Sequence, residues 1–148
     1  MEMDPALYSD AWVNNDPFLE IFVELANKGT MEMSVTFHVN GLIISGMLTG
    51  AKRYYDYVEK LFQDSGKTEE FKGAQVLDAI PQMFRDAVKE NQDDSGIKPR
   101  YVHLRDIRTY TADGKAAQTP QEIFWRGKLS SVNGFTIGSL HPIRKLSS

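Results

Sequence analysis

Between Met33 and Val39 the chain alternates: Met33, Val35, Phe37 and Val39 are apolar, while Ser34, Thr36, His38 and Asn40 between and after them are polar. Side chains of a strand point alternately to its two faces, so this segment predicts a strand with one buried face. Asn40-Gly41 follows. That dipeptide accepts the positive φ angles of a tight type I′ turn and predicts a hairpin into a second strand from Leu42 to about Thr49. Gly46 inside that strand predicts a bend or bulge. Before the hairpin the period changes. Phe18, Leu19, Phe22, Val23, Leu25 and Ala26 form a broad apolar helical face. Asp16 is placed to cap its first amides, Pro17 suits the first helical position, and Gly29 suits the left-handed residue that ends a helix.

After the hairpin, Tyr54, Tyr55, Val58, Leu61 and Phe62 recur at helical spacing and predict a helix over 51–62. A second amphipathic stretch runs over 74–90, with Pro81 suited to the first turn of a helix starting near Ile80. Polar segments at 63–73 and 91–99 read as loops. Strands resume over 100–110, 122–129 and 135–140, the last preceded by a second Asn-Gly turn signal at Asn133-Gly134. The order is helix, two strands, two helices, three strands. It predicts an α+β fold: a small, five-stranded, mostly antiparallel β-barrel with an N-terminal helix and a two-helix insertion. The expected organisation is a leader over 1–15, one barrel domain over 16–140 with the helical insertion at about 50–98, and a short basic tail over 141–148. The positions Val39-Asn40-Gly41 with Gly46, Tyr101 to Leu104, and Trp125-Arg126-Gly127 give this order a resemblance to the Sm-like barrel. The base-stacking and uridine-pocket residues of that fold are not recognisable in the chain, so RNA binding is not implied.

Composition narrows the function. With 148 residues, 41% hydrophobic and 25% charged, the chain suits one globular domain with a substantial core. No apolar run is long enough for a membrane-spanning helix. The acidic start Met1-Glu2-Met3-Asp4 has no apolar export core behind it, which predicts a cytoplasmic protein. There are no cysteines, which excludes disulfides, thiolate metal sites and thiol nucleophiles. The net charge of −3 is unevenly spread. Lys98 to Ser148 holds nine Lys/Arg against three Asp/Glu, and Met1 to Ile97 holds eight against seventeen, giving +6 and −9. Chance or solubility accounts for such a split as readily as electrostatic docking, between copies or onto an acidic surface. The overall acidity opposes nucleic acid as the partner.

Candidate chemistry is sparse. His38, His103 and His141 show no metal-ligand spacing and read as unrelated. No phosphate-binding glycine loop is present, and Ser45, Ser130 and Ser131 lack the strand–turn–helix setting of a hydrolase nucleophile. No acid/base pair, metal site or cofactor site is expected. The strand carrying Phe124, Trp125 and Arg126 is more informative. Adjacent strand residues face opposite sides, so one of the two aromatics must be covered from outside the barrel. A helix or the leader is the simpler cover. A partner is the alternative, because exposed aromatic and Arg side chains are common interface anchors. The candidate partner-binding residues are therefore Phe124, Trp125, Arg126 and Lys128, with Arg105 and Arg108 as electrostatic support. Short strands that leave open edges also predict self-association into a dimer or small ring.

FLEIFVELANK (Phe18 to Lys28), VNGLIISG (Val39 to Gly46), VHL (Val102 to Leu104) and WRGKLSSVNGF (Trp125 to Phe135) together resemble the gas vesicle accessory protein U family. The resemblance runs from the first helix to the last strand and implies a non-catalytic, cytoplasmic accessory protein of gas vesicles. It implies contacts with shell or other vesicle proteins that influence assembly or clustering, with no cofactor and no catalytic residues. The alternative from the residues alone is a small-barrel regulator that binds RNA or a small ligand.

Overall fold

The computed structural model describes residues 15–65, 80, 82, 83, 86, 99–117 and 123–140. Helix α1 spans Pro17–Asn27. Its N-terminus forms as the sequence dictates: the Asp16 carboxylate accepts the Phe18 N–H at 2.9 Å, and Pro17 needs no partner there. At the other end Gly29 takes a φ of 74°, which lets the Thr30 N–H reach back to the Leu25 carbonyl.

Strands β1 (Met33–Val39) and β2 (Leu42–Thr49) pair antiparallel, with Val39 opposite Leu42. Asn40 and Gly41 between them have φ values of 49° and 85°, the two positive angles of the two-residue hairpin. Helix α2 follows over Ala51–Ser65. Ile80, Gln82, Met83 and Asp86 are also helical, and the rest of the second amphipathic stretch lies outside the described residues, as do the leader up to residue 14 and the tail. Strand β3 spans Tyr101–Tyr110, β4 Phe124–Lys128, and β5 Gly134–Ile137, with a 3₁₀ turn over Leu129–Ser131 between the last two.

All five strands lie in one sheet in the order β4-β3-β2-β1-β5, and every pairing is antiparallel. The architecture is α+β. The expectation of a small Sm-like β-barrel needs correction, because β4 and β5 are the two edges and do not pair, so the sheet is not closed. The sheet nonetheless curls. The Leu129 N–H donates to the Arg100 carbonyl at 2.9 Å, and the Asn133 N–H donates to the His38 carbonyl at 2.8 Å. A few residues thus bridge from the start of β3 to the end of β1. The connection is held to the strands on both sides, and its Leu129 and Val132 are buried in the core between the two edges. Side chains occupy the seam where a fifth ladder would otherwise run.

A second correction concerns Asn133-Gly134. It is no hairpin turn, since the strands on its two sides sit at opposite edges. Neither residue has a positive φ. Asn133 instead accepts the Asn40 N–H on its side-chain oxygen at 2.7 Å, tying the connection to the first hairpin. The last strand also ends earlier than its apolar pattern suggests. Gly138 turns at a φ of 113°, and the chain passes over the outer face of β1 and β2. There the Thr36 hydroxyl donates to the Gly138 carbonyl at 2.8 Å, which leaves the Ser45 hydroxyl to donate to Thr36 Oγ1 at 2.7 Å. The Leu140 N–H completes the set by donating to Ser45 Oγ at 3.0 Å. These contacts explain why Thr36 and Ser45, polar positions on the outer face, are buried.

The expected bend at Gly46 is present. The β2–β3 register slips between Ser45 and Met47, where Asp106 takes a φ of 52°. The bulge tightens the curl. On the concave side Val35, Phe37, Ile44, Leu48, Val102 and Leu104 meet Leu19, Val23 and Ala26 of α1. Apolar burial of this kind supplies most of the folding free energy. The two helices are tied together at Gly50. The Asn27 side-chain oxygen accepts the Ala51 N–H at 3.0 Å, and a Cβ on Gly50 would sit 2.5 Å from the Ala26 carbonyl oxygen. Backbone cannot yield cheaply there. Gly50→Ala is expected to cost about 1–3 kcal/mol, read as a lowered urea midpoint with an unchanged slope.

Candidate functional site

The register of β3 and β4 decides which side chains meet. Tyr101 lies opposite Lys128, His103 opposite Arg126, and Arg105 opposite Phe124, all on the convex face. Leu104 lies opposite Trp125 and Val102 opposite Gly127, on the concave face. The candidate strand is thereby divided. Trp125 packs into the core with its ring centroid 6.3 Å from that of Phe37. Phe124 faces outward and is covered by α2, with Tyr57 stacked on it at 4.4 Å and 19° and Tyr54 at 6.5 Å. Both aromatics find cover within the chain.

Helix α2 lies on this face because its apolar side is tyrosine-rich. Tyr55 and Val58 are buried, whereas Lys52 and Asp56 pair across the exposed side at 2.9 Å. Arg126 is half-buried, with its guanidinium 4.0 Å from the Tyr101 ring centroid and 5.8 Å from that of Tyr55. Partial desolvation strengthens such cation–π contacts. Its Nε is buried and makes no hydrogen bond among the described residues. His103 lies beside it, 3% exposed, with its ring 4.9 Å from that of Tyr54 and neither nitrogen hydrogen-bonded among the described residues. Burial, and then the positive charge of Arg126, lower its pKa to about 4, so the imidazole is neutral at pH 7. Burial also raises the Tyr54 pKa.

The other candidates sit further along β3. Arg105 Nε donates to Glu32 at 2.8 Å, and Arg105 also pairs with Asp106. Arg53 of α2 reaches the same Glu32 at 2.5 Å. The hydrogen bond from Arg105 is the main reason Glu32 stays ionised below the usual carboxylate range. Arg108 lies beyond the bulge, on the wall of a recess of about 160 Å³ shared with Ser34, Ser45 and Asp106. The structure therefore gathers Phe124, Arg126, Lys128 and Arg105 on one face, sets Arg108 apart on the same strand, and turns Trp125 inward.

Sequence reasoning missed His103 and Tyr101. The signal was present: in RYVHLR the alternation puts Tyr101, His103 and Arg105 on one face, and the same alternation in FWRGK selects Phe124, Arg126 and Lys128. Among the described residues no group of three or more His, Asp or Glu could hold a metal ion. No described helix is long and apolar enough to cross a membrane.

A curled antiparallel sheet with one helix across its concave mouth and a second on its convex face, carrying a cationic and aromatic edge, defines a small α+β scaffold. The family model described as gas vesicle protein GvpU-like matches residues 16–140, and the chain belongs to that family. The match makes it a gas vesicle-associated accessory protein. No curated protein and no solved structure matches the chain.

Proposed function

We propose that the protein is a non-catalytic cytoplasmic module that binds gas vesicle shell or other vesicle accessory proteins and influences vesicle assembly or clustering. The observation that carries this reading is the open β4 edge. Its outer backbone groups are unpaired among the described residues, and Phe124, Arg126 and Lys128 stand beside it on the convex face. An exposed edge accepts a further strand, and flanking side chains supply selectivity. Arg105, ion-paired with Glu32 and Asp106, and Arg108, beyond the bulge, are the flanking electrostatic support in this reading, and Trp125 anchors the strand from below. The charge split between the two parts of the chain supports an acidic partner surface. We further propose that 16–140 folds as one unit, an open relative of the Sm-like barrel, with the leader, helical insertion and basic tail as appendages.

The test is Lys128→Glu in a pull-down with purified vesicles. Lys128 is exposed, so the variant is expected to keep its melting temperature and lose vesicle binding. Arg126→Glu is the stronger lesion, because it also removes two cation–π contacts and is expected to loosen α2. Full-strength vesicle binding by a folded Lys128→Glu variant refutes the β4 assignment. Binding to RNA that weakens steeply with salt would favour a nucleic-acid regulator instead.

A further inference from the structure

The opposite edge of the sheet carries a second surface. Helix α1 is apolar on more than its buried side: Phe18 is 70% exposed and Ile21 53% exposed, with Leu25 one turn beyond. A helix apolar nearly all round requires cover on both sides. This stripe adjoins β5. Phe22 packs edge-to-face on Phe135 at 6.2 Å, and Ile137, two residues further along the same strand face, is 64% exposed. The Gly138 N–H donates to the Ser34 carbonyl at 2.8 Å. By the alternation of an antiparallel ladder, Gly134 and Thr136 also direct their backbone groups to β1. Those of Phe135 and Ile137 then point to the open edge.

We propose that this surface pairs with a second copy of the chain, in a two-fold dimer that joins β5 to β5 and α1 to α1. An antiparallel edge is complementary to itself. With the axis at Thr136, Phe135 of each copy exchanges backbone hydrogen bonds with Ile137 of the other. Their side chains meet on the face that already carries α1. The same axis runs the two α1 helices antiparallel. Phe18 of one copy lies toward Leu25 of the other, with Ile21 near the middle. Asp16, at the start of each helix, is brought toward Lys28 at the end of its neighbour, so the charges at the rim are complementary. The interface is isologous and closes on itself, which stops growth at two. It goes beyond the vesicle-binding reading and leaves both β4 edges free.

The cysteine-free chain allows a direct test. At the axis Thr136 faces its own copy as a non-hydrogen-bonded pair, with Cα atoms about 4.5 Å apart, inside the range of roughly 4.4–6.8 Å that a disulfide spans. Thr136→Cys is expected to convert nearly completely to a disulfide-linked dimer under mild oxidation, and Lys128→Cys on the far edge is expected not to. In sedimentation equilibrium the unmodified chain is expected to be a dimer. Ile21→Lys, at an exposed position, is expected to keep the circular dichroism spectrum while raising the dimer dissociation constant on the order of a hundredfold. A monomeric wild-type chain at high micromolar concentration overturns the proposal. So does cross-linking only when Thr136→Cys and Lys128→Cys chains are mixed, which would mean head-to-tail pairing of β5 with β4. A folded Ile21→Lys variant with undiminished dimerisation overturns it as well.

Discussion

Trp125→Ala is expected to lower stability by about 3–5 kcal/mol, a large part of the roughly 5–15 kcal/mol available to a domain. The partly buried indole packs against the concave core beside Phe37 and sits on the edge strand β4, so only one neighbouring strand can relax toward the gap. The same indole explains Gly127. A Cβ at that position would fall 2.2 Å from the distal ring carbon of Trp125, so the ring lies flat over the glycine. Residues two apart on a strand share a face, and the Trp-x-Gly spacing of WRG is the local record of that contact. Gly127→Ala is accordingly expected to cost about 1–3 kcal/mol by forcing the ring out of place. A double-mutant cycle separates this cause from a generic strand effect. In the Trp125→Ala background, Gly127→Ala should be neutral or stabilising, since alanine is otherwise better than glycine within a strand. Additive losses in urea denaturation would show that Gly127 is needed for some reason other than the indole.

How much of this was legible depended on range. The cap at Asp16, the Asn40-Gly41 turn, the bulge at Gly46 and the alternation in β1 are local, and each was readable because a backbone demand selects a residue type within a few positions. Asn133-Gly134 misled for the same reason. The dipeptide permits a hairpin, but β1 captured the following strand through Phe37 opposite Phe135 and His38 opposite Gly134, and the turn became a bridge. Closure of the sheet was not readable, because it depends on which side chains fill the seam between β4 and β5. At the candidate site the opposed faces of Phe124 and Trp125 followed from alternation alone. Their covers did not, since Tyr57 reaches Phe124 only through the docking of α2 across residues far apart in the chain. His103 was passed over because histidine is informative by its neighbours, and Arg126 becomes its neighbour only through the β3–β4 register.

That pairing makes acid stability the second large effect. His103 is a base whose folded pKa, about 4, lies below its ordinary value of 6.5, so folding favours the neutral ring. The stability this contributes is fully present above pH 6.5 and is lost as pH falls toward 4, because the unfolded chain takes up a proton that the buried ring refuses. At about 1.36 kcal/mol per pH unit, the loss between pH 6.5 and 4.5 is about 2–3 kcal/mol. The window matters. Glu32, whose pKa is lowered by Arg105, adds its own acid loss only below its ordinary value of 4.5, so the upper range isolates the histidine. Urea midpoints at half-unit pH steps are expected to fall steadily in the wild type. In His103→Gln, which cannot take the proton, the same plot should flatten over this range even if stability at pH 7 is already reduced. The first structure to loosen should be α2, since Tyr54 and Tyr55 rest directly on the ring that becomes charged beside Arg126. Near-ultraviolet dichroism from these tyrosines should therefore change at lower urea than the far-ultraviolet signal of the sheet. Parallel pH slopes for wild type and His103→Gln would show that the buried ring does not set the acid sensitivity of this fold.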